Sequence, residues 1–387
     1  MAISGKVYSK SDFSVGIKKK IVNGSSVFFT TAAQDDAAYD LLPVINVSSP
    51  VLNLIESGEI RSNNAGMLEL DTDQFRTTKG GFITMDFEVP AERDLIVRML
   101  ANVLQDHTCD ESGSAPFIHT IQSTSSATLS RPDFTASSVT SGENIGIPCM
   151  FDIGLYYPES AQDKMITSAV LQTLTMNFDM SDGRCLLSGT FYSGLTSSSK
   201  FLVEQTLSDN AAAPNLSSTS PTQIESYFDV KKLDVDGSAL ADAVITAVSF
   251  TFENNVARVG RDGDGDAEAY SFGIPSVNIT GEISLMYDAN FDFGDGGNVL
   301  QDFLGSGDTR GATATLKLQQ GDGTVSTAGE MNIECEIYST AVNLDPNADT
   351  GAVITIPFKV VQPTASGAAS GTAFKFQYAD SSKSTDW

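Results

Sequence analysis

Histidine and tryptophan are almost missing from this chain: 387 residues hold two of the first and one of the second. The two histidines, His107 and His119, leave little for general-base chemistry. Each reads as a surface or loop residue rather than a base. No GxSxG elbow, HExxH pair or Walker loop occurs. Carboxylates are plentiful, yet no spacing singles out an acid/base pair. The four cysteines, Cys109, Cys149, Cys185 and Cys335, form no CxxC pair and have no histidine at zinc spacing. They read as buried reduced thiols. No apolar run approaches the roughly 18 residues of a spanning helix, and MAISGKVYSKSDF at the start lacks a signal-peptide core. These absences describe a structural protein made in the cytoplasm, with no membrane partner, no cofactor and no enzymatic activity.

Positive charge is scarce too. Lys and Arg total 23 against 49 Asp and Glu, a net charge of -26. Residues 226–387 hold 9 basic against 23 acidic residues and residues 1–225 hold 14 against 26, so both halves are acidic and there is no acidic tail. Such a surface repels nucleic acid. It serves solubility, or it forms a wall along which DNA slides without sticking.

What is present is strand pattern. Ile83, Met85, Phe87 and Val89 alternate with polar neighbours, as do Leu174, Met176 and Phe178. In the second half Phe250 and Phe252, Val277 to Tyr287, Ile333 to Ile337, and Ile354 to Val360 do the same. A period of two marks strands with one buried face. One clear helix is predicted over Glu92–Asp106, after Pro90. Leu95, Ile96, Met99, Leu100, Val103 and Leu104 make its apolar stripe, with Arg93, Arg98 and Asn102 outside it. This stripe fits a helix packed on a sheet.

The pattern repeats. Leu52, Leu54, Met85, Phe87 and Val89 are answered 198 residues later by Phe250, Phe252, Ile283, Leu285 and Tyr287. Leu95, Ile96, Met99 and Leu100 are answered 204 residues later by Val299, Leu300, Phe303 and Leu304, predicting a second helix at about Gly297–Gly305. Ser126–Leu129 is then answered by Thr313–Leu316. The predicted fold is mainly β: two tandem β-sandwich domains, each with one packed α-helix. An N-terminal arm spans 1–43, a first domain 44–205 with an insertion loop at about 112–146, a linker 206–225, and a second domain 226–387. The arm carries the one basic cluster, Lys18, Lys19 and Lys20. It suits ordering against a neighbouring subunit, or a loose terminus.

One string invites a metal. Asp262, Asp264 and Asp266 have the alternate spacing of a calcium loop, but Ala267 and Gly273 stand where an EF-hand needs Gly and Glu. A solvated acidic turn is the plainer reading.

The second half resembles the tail tube proteins of long-tailed bacteriophages. The likeness is carried by AVITAVSFTFENNVARVG, with its Asn-Asn turn, then IPSVNITGEISLMYDANFD, NVLQDFLGSGDTRGATATLKLQ and the closing AVITIPFKVV. The first half is similar through VLNLIESGEIRS, GGFITMDFEVP, ERDLIVRMLANVL and the hairpin SAVLQTLTMNFDMSDGRCLLSGTFYSG. The likeness covers most of 44–205 and 243–361. It implies a virion protein whose copies form rings that stack into a tube, with sheets of neighbouring subunits joined around a lumen that carries genomic DNA. Single-domain members close a ring with six copies. A tandem chain then implies a homotrimeric, pseudo-sixfold ring, other tail proteins at the tube ends, and DNA passing unbound. On this reading Asp86, Glu88 and Glu282 face the lumen, and Lys18–Lys20 meet the next ring. The alternative is a capsid decoration protein or an adhesin-like β-sandwich.

Overall fold

The computed structural model describes residues 13–19, 40–60, 74–109, 115–124, 150–156, 164–179, 184–194, 203–204, 232–235, 238–239, 244–259, 271–273, 276–286, 314–319, 325, 327–339, 341, 343–346, 352–362, 364–365, 368–369 and 372–380. In chain order the first half holds β1 (Ser14–Lys19), β2 (Asp40–Leu41), β3 (Asn46–Val47), β4 (Val51–Ile60), β5 (Gln74–Pro90), α1 (Arg93–Leu104), β6 (Thr108–Cys109), β7 (Phe117–Thr124), β8 (Phe151–Tyr156), β9 (Lys164–Asp179), β10 (Arg184–Gly194) and β11 (Val203–Glu204). The second holds β12 (Lys232–Val235), β13 (Ser238–Ala239), β14 (Val244–Asn254), β15 (Ala257–Val259), β16 (Ser271–Gly273), β17 (Val277–Met286), β18 (Ala314–Gln319), β19 (Met331–Tyr338), β20 (Asn343–Asp345), β21 (Val353–Val360), β22 (Thr364–Ala365), β23 (Ala368–Ala369) and β24 (Thr372–Asp380).

The fold is mainly β, as the alternation predicted, and every described ladder is antiparallel. One sheet runs β4–β5–β10–β9–β14–β17–β21–β20. The junction between β9 and β14 joins the two halves of the chain, with Leu174 opposite Phe252 and Thr175 opposite Thr251. A second ladder, β12–β18–β19–β24–β7–β6, joins them again, because β7 of the first half pairs with the C-terminal β24. One apolar cluster, including Met85, Met176, Phe250, Ile283 and Phe376, continues through both halves. The expected division into two separate sandwiches is therefore not drawn by the core: shared ladders unite them.

The two ladders pack face to face. Phe374 of β24 meets two residues of β14 edge-on, Phe252 at 5.2 Å and Phe250 at 6.2 Å. Edge-to-face pairs exceed the stabilisation of area alone, and each fully buried phenylalanine contributes about 1.5–3 kcal/mol. Helix α1 closes one end of this core, with Leu95, Ile96, Met99, Leu100 and Val103 buried. It stops at Gln105, whose left-handed φ of 55° ends the helix without glycine.

The ladders of the two halves keep the same registers. Leu52 pairs with Ile83, and 198 residues later Phe250 pairs with Gly281. Strand β9 first pairs with β8 and then with β10; the segment β19–β20 first pairs with β18 and then with β21. Strand β9 changes partner near Ser168 (φ 55°), whose N–H donates to buried Asp152 at 2.9 Å.

Several expectations need correction. Residues 14–19, assigned to the N-terminal arm, form β1, which pairs with β8 of the same chain along its length and buries Val15 and Ile17. Its alternation is too short to read. Residues 117–124, assigned to the insertion loop, form β7, which pairs with β24; of the described side chains of FIHTIQST only His119 and Ile121 are buried, so the sequence shows no long apolar alternation. The strand standing in the first half where β18 stands in the second is β8, while Ser126–Leu129 lies outside the described residues. The second predicted helix, at about Gly297–Gly305, also lies outside them. Asn102, placed outside the apolar stripe, is fully buried.

Candidate functional site

The eight-stranded sheet has two unlike faces, because alternate side chains point to opposite sides. One face is the core. The other carries Thr84, Asp86 and Glu88 on β5, Ser188 and Thr190 on β10, and Thr173, Thr175, Asn177 and Asp179 on β9. Across the junction it continues with Ser249, Thr251 and Glu253 on β14, then Asn278, Thr280, Glu282 and Ser284 on β17. Thr355, Pro357 and Lys359 of β21 and Asp345 of β20 extend it, and apolar Val51, Leu186 and Val353 interrupt it. Six carboxylates, Asp86, Glu88, Asp179, Glu253, Glu282 and Asp345, stand among hydroxyls and amides, against Lys359 and Arg184, the latter at the register position opposite Asp179.

The lumen candidates thus share a face. Register leads from Glu88 to Ser188, Thr175, Thr251 and Thr280 in turn, and Glu282 lies two residues beyond Thr280. Asp86 and Glu282 are exposed and Glu88 is half-buried. The Thr190 hydroxyl donates to Asp86 Oδ1 at 2.7 Å, and Asn278 Nδ2 donates to Glu253 Oε2 at 3.3 Å. The hydroxyls of Thr175 and Thr251 meet at 3.3 Å across the junction. A concavity of about 580 Å³ lies over β5, β9 and β10, lined by Asp86, Glu88, Thr173, Thr175 and Ser188. The hydroxyls and amides of this face can donate hydrogen bonds, but its carboxylates outnumber its cations, so its charge repels a polyanion.

The junction beneath this face is pinned by two buried asparagines that the sequence reading missed as structural groups. Asn102 Nδ2 donates to Ala169 O at 3.2 Å, and its Oδ1 accepts the N–H of Leu171 at 2.6 Å. Asn254 Nδ2 donates to Val103 O at 2.7 Å and to Leu171 O at 3.0 Å. Asn254 ends β14, so one side chain ties the second half to the end of α1 and to β9. Asn254 is the last residue of β14 and Asn255 the first beyond it, and nothing local in the sequence marks what Asn254 holds.

The histidines are not surface residues. His107 and His119 are 4% and 2% exposed, and Nε2 of the first lies 3.0 Å from Nδ1 of the second. His119 stacks on Tyr378 of β24, so the pair belongs to the second junction between the halves. A short loop after α1 and a mid-strand position bring them together, and only the β7–β24 pairing buries them. Beside them Asp106 has its carboxyl pushed above the ordinary value by burial, against the N–H groups of Gln122 and His107 that favour its charge.

Lys18 and Lys19 end β1 opposite Asp152 and Phe151 of β8, so their backbone belongs to this chain's own sheet. Lys20 and the acidic string Asp262, Asp264 and Asp266 lie outside the described residues. Cys185 and Cys335 are buried and form no disulfide, and burial drives the Cys335 thiol pKa well up. Among the described residues no helix is long and apolar enough to cross a membrane.

No protein-family model matches the chain, and no curated protein matches it in sequence.

Proposed function

We propose that this chain is a structural virion protein of the tail tube type, which assembles into stacked rings around a DNA conduit. The reading is supported by one observation above others: four strands from each half make one sheet whose outward face is continuous, concave in part, acidic and rich in hydroxyls. An enzyme or adhesin has no need of such a face across a junction of two halves. A tube wall does, because its lumen must be polar to hold water and acidic to release DNA.

Geometry is compatible with that role. Three copies would supply about 24 strands; at about 4.8 Å spacing and about 40° tilt they close a barrel roughly 48 Å across the backbones. Side chains reaching about 6 Å inward leave a passage of roughly 36 Å, wide enough for duplex DNA. The partners are then other copies of this chain, further tail proteins at the tube ends, and DNA passing without specific contacts. The place of action is the virion tail.

Negative-stain microscopy of the purified full chain tests this. Rings or tubes with a central hole on the order of 40 Å are expected. Particles that stay single at every concentration, or that bind capsid shells without forming tubes, would contradict it.

A further inference from the structure

We infer that the two outer edges of the eight-stranded sheet, as described, are the halves of one interface: β20 of one copy adds antiparallel to β4 of the next, placing Leu344 opposite Leu54 and Asp345 opposite Asn53. This deepens the ring proposed above and rests on it for its setting, but the register comes from the chain's internal ladders.

The argument is one of equivalence. Strands β4 and β5 pair as β14 and β17 do, each residue 198 later: Leu54 with Gly81, Phe252 with Ile279. Asp86 pairs with Thr190 on β10, and its counterpart Ser284 pairs with Thr355 on β21, so β21 stands where β10 stands. Thr190 pairs with Thr173 on β9, and Thr355 pairs with Asn343 on β20. Even the irregularity agrees. The β9–β10 register slips one residue between Thr190 and Phe191, and the pairs Asn343–Thr355 and Ile337–Val360 are one residue out of step in the same sense. Segment β19–β20 is therefore the counterpart of β9.

Within the chain, β9 is joined to β14, with Leu174 opposite Phe252 and Thr175 opposite Thr251. The counterpart of β9 is β20, at one end of the sheet, and the counterpart of β14 is β4, at the other. Neither has a described partner on its outer side. The same junction can form again only between two copies. Carried across, Leu174 and Thr175 become Leu344 and Asp345, while Phe252 and Thr251 become Leu54 and Asn53.

Exposure supports this. Leu174 is fully buried under the junction, whereas Leu344, pointing to the same side of the sheet, is 47% exposed. An apolar open edge is an aggregation hazard that proteins cover, and a matching edge covers it. On the polar side the carried register sets Asp345 beside Asn53, where the internal junction has the Thr175–Thr251 hydroxyl pair. Because the two edges differ, the contact is head-to-tail, and it closes into a ring when the rotation per copy completes a circle.

Cross-linking tests it. Full-length chains carrying Asn53→Cys are mixed with chains carrying Asp345→Cys and oxidised. Directly opposed positions of an antiparallel ladder bring Cβ atoms about 4.5–5.5 Å apart, near disulfide range. Severalfold more covalent dimer is expected from the mixture than from either variant alone, and more than from Asn53→Cys mixed with Asn343→Cys, which is two residues out of register. A chain carrying both Asn53→Cys and Asp345→Cys should give trimers. Leu344→Lys, at an exposed site, should leave the circular dichroism melt of the single chain unchanged while abolishing the oligomer. The inference is overturned if the mixture gives no dimer above background, if Asn53→Cys links best to itself, or if Leu344→Lys assembles like the parent. Tubes in the microscope without the 53–345 link would sink this interface and leave the tube; linked trimers without tubes would do the reverse.

Discussion

Replacing Asn254 by Ala should be among the most damaging single polar-to-alanine changes in the described core. Its amide donates to Val103 O at 2.7 Å and to Leu171 O at 3.0 Å, and the residue is 2% exposed. Val103 lies in the last turn of α1, where carbonyls lack a partner within the helix. Leu171 lies where β9 slips register against β10. Truncation leaves both acceptors short of a donor in a space too small for easy hydration. An unsatisfied buried group costs about 1–3 kcal/mol, so the two together cost about 2–6 kcal/mol. Neighbouring Asn255 is the control: its amide bonds Ser276 Oγ at 2.7 Å but in solvent, and Asn255→Ala should stay within about 0.5 kcal/mol of the parent. Chemical denaturation of the three proteins gives the comparison. Amide hydrogen exchange should also show protection lost over 247–253, the β14 side of the junction. If Asn254→Ala behaves like Asn255→Ala, the pinning argument is wrong.

Three further outcomes are expected. Asp106→Asn should raise the melting temperature at pH 7. The folded state holds this carboxyl above its unfolded pKa, so its ionised form destabilises the fold above that range. The gain should shrink as pH falls through the raised value and vanish below the ordinary carboxylate range; a gain that grows in acid would reverse the sign. Gly281→Ala should destabilise by about 1–3 kcal/mol in a thermal or urea melt, because the added methyl collides with the Ser249 carbonyl and the Phe358 ring; a neutral result would show that β17 has room there. Chelator should leave the melting temperature unchanged, since the Asp262–Asp266 string is read as a solvated turn; a drop of several degrees would make it a structural metal site.

The sequence carried the strands well where alternation is long. Met85 to Val89 and Ile279 to Leu285 bury one face, and the 198-residue echo between them corresponds to a shared ladder register. It also put Asp86, Glu88 and Glu282 on outward positions, because a period of two assigns faces without knowing partners. What it missed depends on partners. Strand β7 reads as polar loop until β24 lies beside it, and His107 and His119 read as exposed until that pairing buries them. Asn102 counts as a polar helix position by type, yet it serves two backbone groups of β9. The union of the halves through β9 and β14 was not legible either. Thr175 and Thr251 carry no local mark that they meet.

The central claim is that this sheet is a segment of a ring wall with its acidic face inward. The most direct test is a cryo-electron microscopy reconstruction of the assembled protein, reading chains per ring and the side facing the hole. The account predicts three chains per ring, with Asp86, Glu88 and Glu282 lining the lumen. Six chains per ring, or those three carboxylates on the outer surface, would contradict it.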